Sequence, residues 1–254
     1  MNKLTTYSVS KIQLYLECPY KYYLQYIAKT LPSKRTYHLQ LGLAFSDIVE
    51  EIYSNYDVYK NYSEEDIQQL CDLYWVPKQY KNDFLQQKEP SWKFLGYNSL
   101  EQELVNKRNL YNWVLQYIAT YGITPVFGVE LELKCDIEGY PFYGRLDVAY
   151  FNRSKGLSIF DNKVGSTTYT LETNLQLILY TYACETIYNI PVYEAGIRYV
   201  VKNTWASATK KELDIQYGLN QFKSAIYNIQ NNNFPKQPNN YCKYCQGCEH
   251  GSLL

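Results

Sequence analysis

Two aspartates and a lysine offer the first chemistry in this chain. In LSIFDNK, Asp161 and Lys163 stand two residues apart, and in an extended segment that spacing points both side chains to one face. A second aspartate, Asp147, lies in YPFYGRLDVAYF, two residues after Arg145 and three after Gly144. One carboxylate on each of two neighbouring strands, with a lysine alongside, makes a cage for a hard divalent cation. Mg²⁺ or Mn²⁺ takes oxygen ligands there and can hold phosphate oxygens as well. Such a cation lowers the pKa of water, and Lys163 is placed to orient that nucleophile or to offset charge at phosphorus. D-x-K is nonetheless a short pattern, and a surface strand with alternating charges carries it too. The cysteines form a second constellation. Cys242, Cys245 and Cys248 follow C-x-x-C-x-x-C in a polar tail, where core packing does not call for them. Thiolates at this spacing suit zinc or an iron–sulfur cluster. Cys71, Cys135 and Cys184 are scattered through apolar-patterned segments and read as core residues.

These side chains need a scaffold. VFGVELELKC (126–135) alternates, with Phe127, Val129, Leu131 and Leu133 on one side and Glu130, Glu132 and Lys134 on the other; this is the pattern of a half-buried strand. Glu138–Gly139 marks a turn, 140–151 is its hairpin partner, and 157–163 is a third strand. A long helix over about 172–189 follows, then a fourth strand at 196–202. Strand, helix and strand in succession predict a parallel pair with a right-handed crossover. Upstream, Ser8 and Ser10 are placed to cap a helix through KIQLYLECPYKYYLQYI, bent at Pro19 just after Cys18. A second helix is expected from about Leu39 to Tyr56. Residues 60–121 read as helical and polar, broken near Pro77 and Pro90, and as an insertion. The order predicts an α/β (α+β) core around a mixed sheet with flanking helices, in one domain spanning 1–254.

Composition narrows the setting. A hydrophobic fraction of 46% excludes a wholly disordered chain. No run of about 18 apolar residues is present to span a membrane, and MNKLTTYSVS lacks the pattern of a secretory signal. The expectation is a cytoplasmic protein whose clustered cysteines bind metal rather than form disulfides. Net charge is zero, yet residues 1–46 carry +5, 47–194 carry −9 and 195–254 carry +4. A neutral total therefore covers two basic ends around an acidic centre, which leaves a nucleic-acid partner open. Thirty tyrosines supply apolar area with a polar tip. Tyr20, Tyr22, Tyr23 and Tyr26, interleaved with Lys21 and Lys29, are placed either to stack unpaired bases or to pack around the cysteines.

The run GRLDVAYFNRSKGLSIFDNKVG resembles the PD-(D/E)XK nuclease superfamily, and within it the RecB/AddB-like branch and the CRISPR-associated RecB-like exonucleases. Gly144, Asp147, Asp161, Lys163 and Gly165 occupy the positions of that branch's motif. The resemblance implies a restriction-endonuclease-like fold and a glutamate on the preceding strand, matched by Glu130. It also implies a Q-x-x-x-Y pair on the long helix that joins the catalytic set, matched by Gln176 and Tyr180. SVSKIQLYLECPYKYYLQYI is similar to the opening helix of the iron–sulfur members. There one N-terminal and three C-terminal cysteines bind a 4Fe–4S cluster that fastens the two ends together. Here those would be Cys18, Cys242, Cys245 and Cys248, although the thiolates alone suit zinc equally.

This chain departs from the branch in two places. The histidine expected four residues after the glycine of the second helix is Ser46, following Gly42. A hydroxyl is a poor ligand, so water or a nearby carboxylate would complete the shell. Glu50, one turn beyond Ser46, is a better candidate than Asp47. The chain's two histidines, His38 and His250, do not fit the motif. The second departure is the short gap before the last cysteine. The expected activity is a metal-dependent DNA exonuclease leaving 5′-phosphates, in repair, recombination, or phage or CRISPR DNA processing. Its substrates would be single strands or duplex ends, and its partners a helicase, recombination or CRISPR protein. The alternative is a DNA-binding accessory protein whose active site has decayed. Ser46 favours that alternative, and Asp147, Asp161 and Lys163 oppose it.

Overall fold

The computed structural model describes residues 6–31, 36–165, 167–239 and 242. Its chain opens with α1 (Val9–Glu17), capped by Ser8, whose hydroxyl accepts from the Lys11 amide. Pro19 cannot donate to a continuing helix, and the chain breaks at Cys18, which is extended, before Pro19 opens α2 (Pro19–Tyr22) and a π-turn over Tyr23–Ile27. The expected bend is thus a full interruption. Next come α3 (Tyr37–Ser54), α4 (Tyr56–Tyr59), α5 (Glu64–Leu73), α6 (Lys81–Gln86), α7 (Ser91–Phe94) and α8 (Leu100–Tyr121). Pro77 precedes a short 3₁₀ turn and Pro90 precedes α7, so both prolines punctuate as expected.

The sheet follows as β1 (Gly128–Ile137), β2 (Tyr140–Asn152) and β3 (Gly156–Lys163), all antiparallel, then α9 (Leu175–Tyr188) and β4 (Val192–Tyr199). β4 pairs parallel with β3, as the strand–helix–strand order requires. Two elements go beyond the expectation: β5 (Thr204–Thr209), antiparallel to β4, and α10 (Ile215–Gln230). The strand order is β1-β2-β3-β4-β5. The result is the mixed α/β architecture with flanking helices that the sequence predicts.

Two hydrophobic clusters sandwich this sheet. One holds Ile12 of α1, Ile178 and Ala183 of α9, Phe222 and Ile226 of α10, and Leu133, Phe142 and Ile159 of the sheet. The other holds Phe45 and Ile48 of α3, Cys71 of α5, Leu110 and Val114 of α8, Val148 of β2 and Val200 just past β4. Helices between residues 60 and 121 therefore supply the cover of the second face. The same strand pair feeds both clusters. Val129 and Val148 are cross-strand partners and pack in the second cluster, whereas the next pair, Leu131 and Leu146, packs in the first. Between them Glu130 takes a left-handed φ of 48°, which costs energy for a residue with a Cβ. The strand turns inside out there. This corrects the uniform alternation expected for 126–135, in which Val129 and Leu131 shared a face.

Candidate active site

Glu130 and Asp147 lie at that inversion, and β3 brings Asp161 and Lys163 beside them. Asp161 is 3% exposed. Lys163 Nζ stands 2.7 Å from Asp161 Oδ2, an ion pair that lacks the direction of a hydrogen bond, so this buried oxygen has no hydrogen-bond partner. Gln176, in the first turn of α9, closes a triangle. Its Nε2 donates to Asp161 Oδ1 at 2.6 Å, and its Oε1 accepts from Lys163 Nζ at 3.0 Å. Asp147 Oδ2 accepts from the Asn162 backbone amide at 2.6 Å, which ties β2 to β3 at the level of the aspartates.

Tyr180 follows Gln176 by one helical turn, and its ring is buried. A Cβ built on Gly144 would meet Tyr180 Cε1 at 2.7 Å, so only glycine leaves room for that ring. The phenol is held up at about 12, chiefly by burial and then by Asp161, against hydrogen bonds with Gln176 and the Arg145 amide. Gln176 and Tyr180 thus reach the carboxylates from one helix face, as their spacing of four predicts.

The electrostatics are those of anions crowded out of water. Burial, then Asp161 and Glu130, raise Asp147 well above the ordinary carboxylate range, against the Asn162 amide and Lys163. Burial likewise raises Asp161, opposed by Lys163 and Gln176. Burial works against the Lys163 ammonium, but Asp161 outweighs it and the net shift is upward. Glu130 is pushed up to about 7, first by burial and then by Glu50 and Asp47, while Arg145 and a hydrogen bond with Ser46 pull it down. Its carboxylate lies 3.8 Å from Arg145 Nε.

Ser46, Asp47 and Glu50 of α3 approach this cluster from the second face. Glu50 is already engaged, with Lys78 Nζ 2.7 Å from its Oε2, and the Lys78 amide donates to Asp47 Oδ2 at 2.7 Å. Nothing in the sequence marks Lys78, because it reaches α3 from the 3₁₀ turn after Pro77. Among the described residues no three His, Cys, Asp or Glu side chains converge tightly enough to enclose an ion. The aspartate pair still suits a hard divalent cation. It offers oxygen donors, one of them without a hydrogen bond, and its mutual repulsion is what a cation would relieve.

A family model of the PD-(D/E)XK nuclease superfamily matches residues 6–250. The chain belongs to this superfamily. In this PD-(D/E)XK chain Asp147, Asp161 and Lys163 lie together on neighbouring strands. A crystal structure of a "Putative exonuclease" from Eubacterium rectale is similar over 98% of this chain and 89% of that one, with 12% identity and a TM-score of 0.58. At that identity the likeness shows the fold, which is restriction-endonuclease-like. A second solved structure, SSO0001, covers 93% of each chain at 16% identity, but its TM-score of 0.34 carries no weight. No curated protein matches the sequence significantly.

Residues 17–22 and 234–239 of this PD-(D/E)XK chain also meet. Asn239 Nδ2 donates to the Glu17 carbonyl at 3.0 Å, the Tyr20 amide donates to the Pro235 carbonyl at 3.2 Å, and Phe234 stacks on Tyr22. Cys18 is half-buried and Cys242 buried. Cys245, Cys248 and His250 lie outside the described residues. Tyr22 is fully buried and Tyr15 packs edge-on against it, so Tyr22 is a core residue and cannot stack a base. Cys71 and Cys184 are buried thiols, each pushed up to about 12 mainly by burial, and Cys135 is half-buried. His38 is exposed and lies against the Tyr37 ring, 3.9 Å between centroids. Among the described residues no helix is long and apolar enough to cross a membrane.

Proposed function

We propose that this protein is a Mg²⁺- or Mn²⁺-dependent deoxyribonuclease, an exonuclease of the RecB/AddB-like iron–sulfur branch. The observation that carries the reading is the triangle of Asp161, Lys163 and Gln176 beside Asp147. A second, half-buried carboxylate next to the buried Asp161 is unfavourable for folding, and phosphoryl chemistry gives it a use. Asp147 and Asp161 would hold the divalent ion, with Glu130 and Glu50 as the nearest further carboxylates. When bound, that ion supplies Lewis acidity and an activated water.

The remaining work falls to the chain's own groups. Lys163 is a charged donor aimed at the reacting phosphate, where it orients the nucleophile and offsets developing negative charge. Gln176 fixes the distance between Lys163 and Asp161 by bonding both. Tyr180 seats α9 against β2 at Gly144. Arg145, exposed on β2 beside Glu130, would present its charge to a phosphate. Hydrolysis in this arrangement leaves 5′-phosphates.

In the same reading, Cys18, Cys242, Cys245 and Cys248 bind a 4Fe–4S cluster that fastens the C-terminal tail to the opening helices. Residues 1–254 then form one nuclease domain, with 60–121 as its helical insertion. DNA, as single strands or duplex ends, is the substrate, and a helicase, recombination or CRISPR protein is the class of partner. End-labelled DNA with Mn²⁺ tests the proposal. Wild type should shorten it from an end, and Asp161→Ala and Lys163→Ala should not; unchanged degradation by either variant would exclude the assigned roles. An anaerobic preparation should be brown, and a colourless one would remove the iron–sulfur cluster from the reading.

A further inference from the structure

Two clefts meet beside α1. The first, about 320 Å³, is lined by Arg145, Lys163, Gln176 and Tyr180 together with Ser10 and Gln13 of α1. The second is larger, about 780 Å³, and runs between α1, the 167–175 segment and α10. Ser10 and Gln13 line both, so the candidate active site continues into a groove along the exposed side of α1.

The groove changes character along its length. At the active-site end it has two cationic side chains, Arg145 and Lys163. Further on, its polar groups are hydroxyls and amides such as Thr167, Thr173 and Gln221, with Glu17 the one acidic lining residue among the described residues. Two tyrosines line this part, Tyr169 at 41% and Tyr217 at 43% exposure. Both stand on fixed backbone. The Tyr169 amide donates to the Tyr199 hydroxyl at 3.1 Å, which ties its segment to the end of β4. The Tyr217 amide donates to the capping Asp214 Oδ1 at 2.9 Å in the first turn of α10.

We infer that this groove is a track for an unpaired DNA strand, with its backbone entering at Arg145 and Lys163 and its bases stacking on Tyr169 and Tyr217. The inference deepens the nuclease reading above and rests on it. Hydroxyl and amide groups contact sugar–phosphate without reading sequence, and half-exposed aromatic faces accept any base. Base faces are available only when the strand is unpaired, so a duplex would not use the track until its end had opened. Leu14, Leu16 and Leu175 also line the groove, but a peptide would find no unpaired strand edge along α1.

The test compares wild type with Tyr169→Ala, Tyr217→Ala and the two phenylalanine variants, each checked for an unchanged circular-dichroism spectrum. With Mn²⁺ and a single-stranded oligonucleotide, each alanine variant should raise KM by roughly tenfold, in keeping with the loss of one base–aromatic stack. The phenylalanine variants should restore wild-type KM, since the ring and not the hydroxyl is needed. A KM that stays within twofold in both alanine variants, in an enzyme that cleaves, overturns the track and leaves the nuclease reading intact. If wild type cleaves nothing, the nuclease reading fails. Fluorescence anisotropy in EDTA then decides the track separately: affinity for the labelled oligonucleotide must fall in the alanine variants, and equal affinity overturns it.

Discussion

Two buried charges lie on neighbouring strands and are treated in opposite ways. Asp161 on β3 faces α9; Arg198 on β4, whose Cα partner is Asn162, is 4% exposed on the other side of the sheet. Arg198 is enclosed by rings, with its Cζ 4.0 Å from the Tyr121 centroid and 4.6 Å from that of Phe160. Its Nη1 and Nη2 donate to the hydroxyls of Tyr117 and Tyr150 at 2.6 and 3.0 Å. No carboxylate forms an ion pair with it among the described residues. Cation–π attraction and two neutral acceptors are enough to retain the charge. Asp161 instead has a cationic partner at 2.7 Å and stands behind Lys163 and Gln176, both of which line a cleft. A buried charge closed off by rings serves packing. One that backs onto a cleft through its partners is placed to serve a ligand.

That contrast can be broken experimentally. Asp161→Asn should lower kcat of the Mn²⁺-dependent reaction by about a thousandfold while thermal unfolding stays cooperative; a smaller loss would put Asp161 among the packing residues. Next in size is a pH effect without added metal. The Glu130 carboxyl rises from 4.5 to about 7 on folding. Below about pH 4.5 both folded and unfolded chains hold its proton. Between there and about pH 7 the unfolded chain releases a proton that the folded chain keeps, so stability falls as pH rises, by on the order of 3 kcal/mol. Glu130→Gln should flatten this slope in denaturant titrations, and an unaltered slope would show that Glu130 is not strained by its surroundings.

Arg198→Met should cost about 2 kcal/mol of stability, because two buried hydroxyls lose their donor, yet leave kcat of the folded protein within a few-fold. Loss of activity at full stability would erase the distinction between the two charges. Smallest, Gln176→Leu should reduce kcat about tenfold by removing the amide that holds the Lys163–Asp161 pair in one geometry, with KM for DNA little changed. A change confined to KM would move Gln176 from the triangle's support to the groove.

The triangle was legible in the sequence because its geometry is periodic. Two residues apart on a strand fix the facing of Asp161 and Lys163, and four apart on a helix that of Gln176 and Tyr180, although only the family resemblance singled out the helix pair. Pro19 was equally legible, since its missing N–H must interrupt the helix. The inversion at Glu130 was not, because a left-handed residue inside a strand leaves VFGVELELKC looking perfectly alternating. Nor was the engagement of Glu50, which depends on a lysine 28 residues away arriving by a 3₁₀ turn. α10 did carry a signal, with Leu219, Phe222, Ile226 and Ile229 at helical spacing and Gly218 where a Cβ would meet Ile178 at 2.5 Å. β5 is short and built of small residues around Trp205, so little in it announces a strand.

The inversion at Glu130 and Asp147 has a mechanical meaning. Val129 and Val148 are anchored among the helices of the second face, one position from the carboxylates, while Leu131 and Leu146 are anchored under α9. The acids are therefore the stitch between two layers, and their spacing is set by how tightly those layers are drawn together. Loosening the helical layer would not expose a finished site but slacken it, pulling Glu130 and Asp147 away from Asp161. Integrity of the 60–121 helices and readiness for chemistry become one quantity, so damage far from the acids should be felt first as a loss of activity and only later as unfolding.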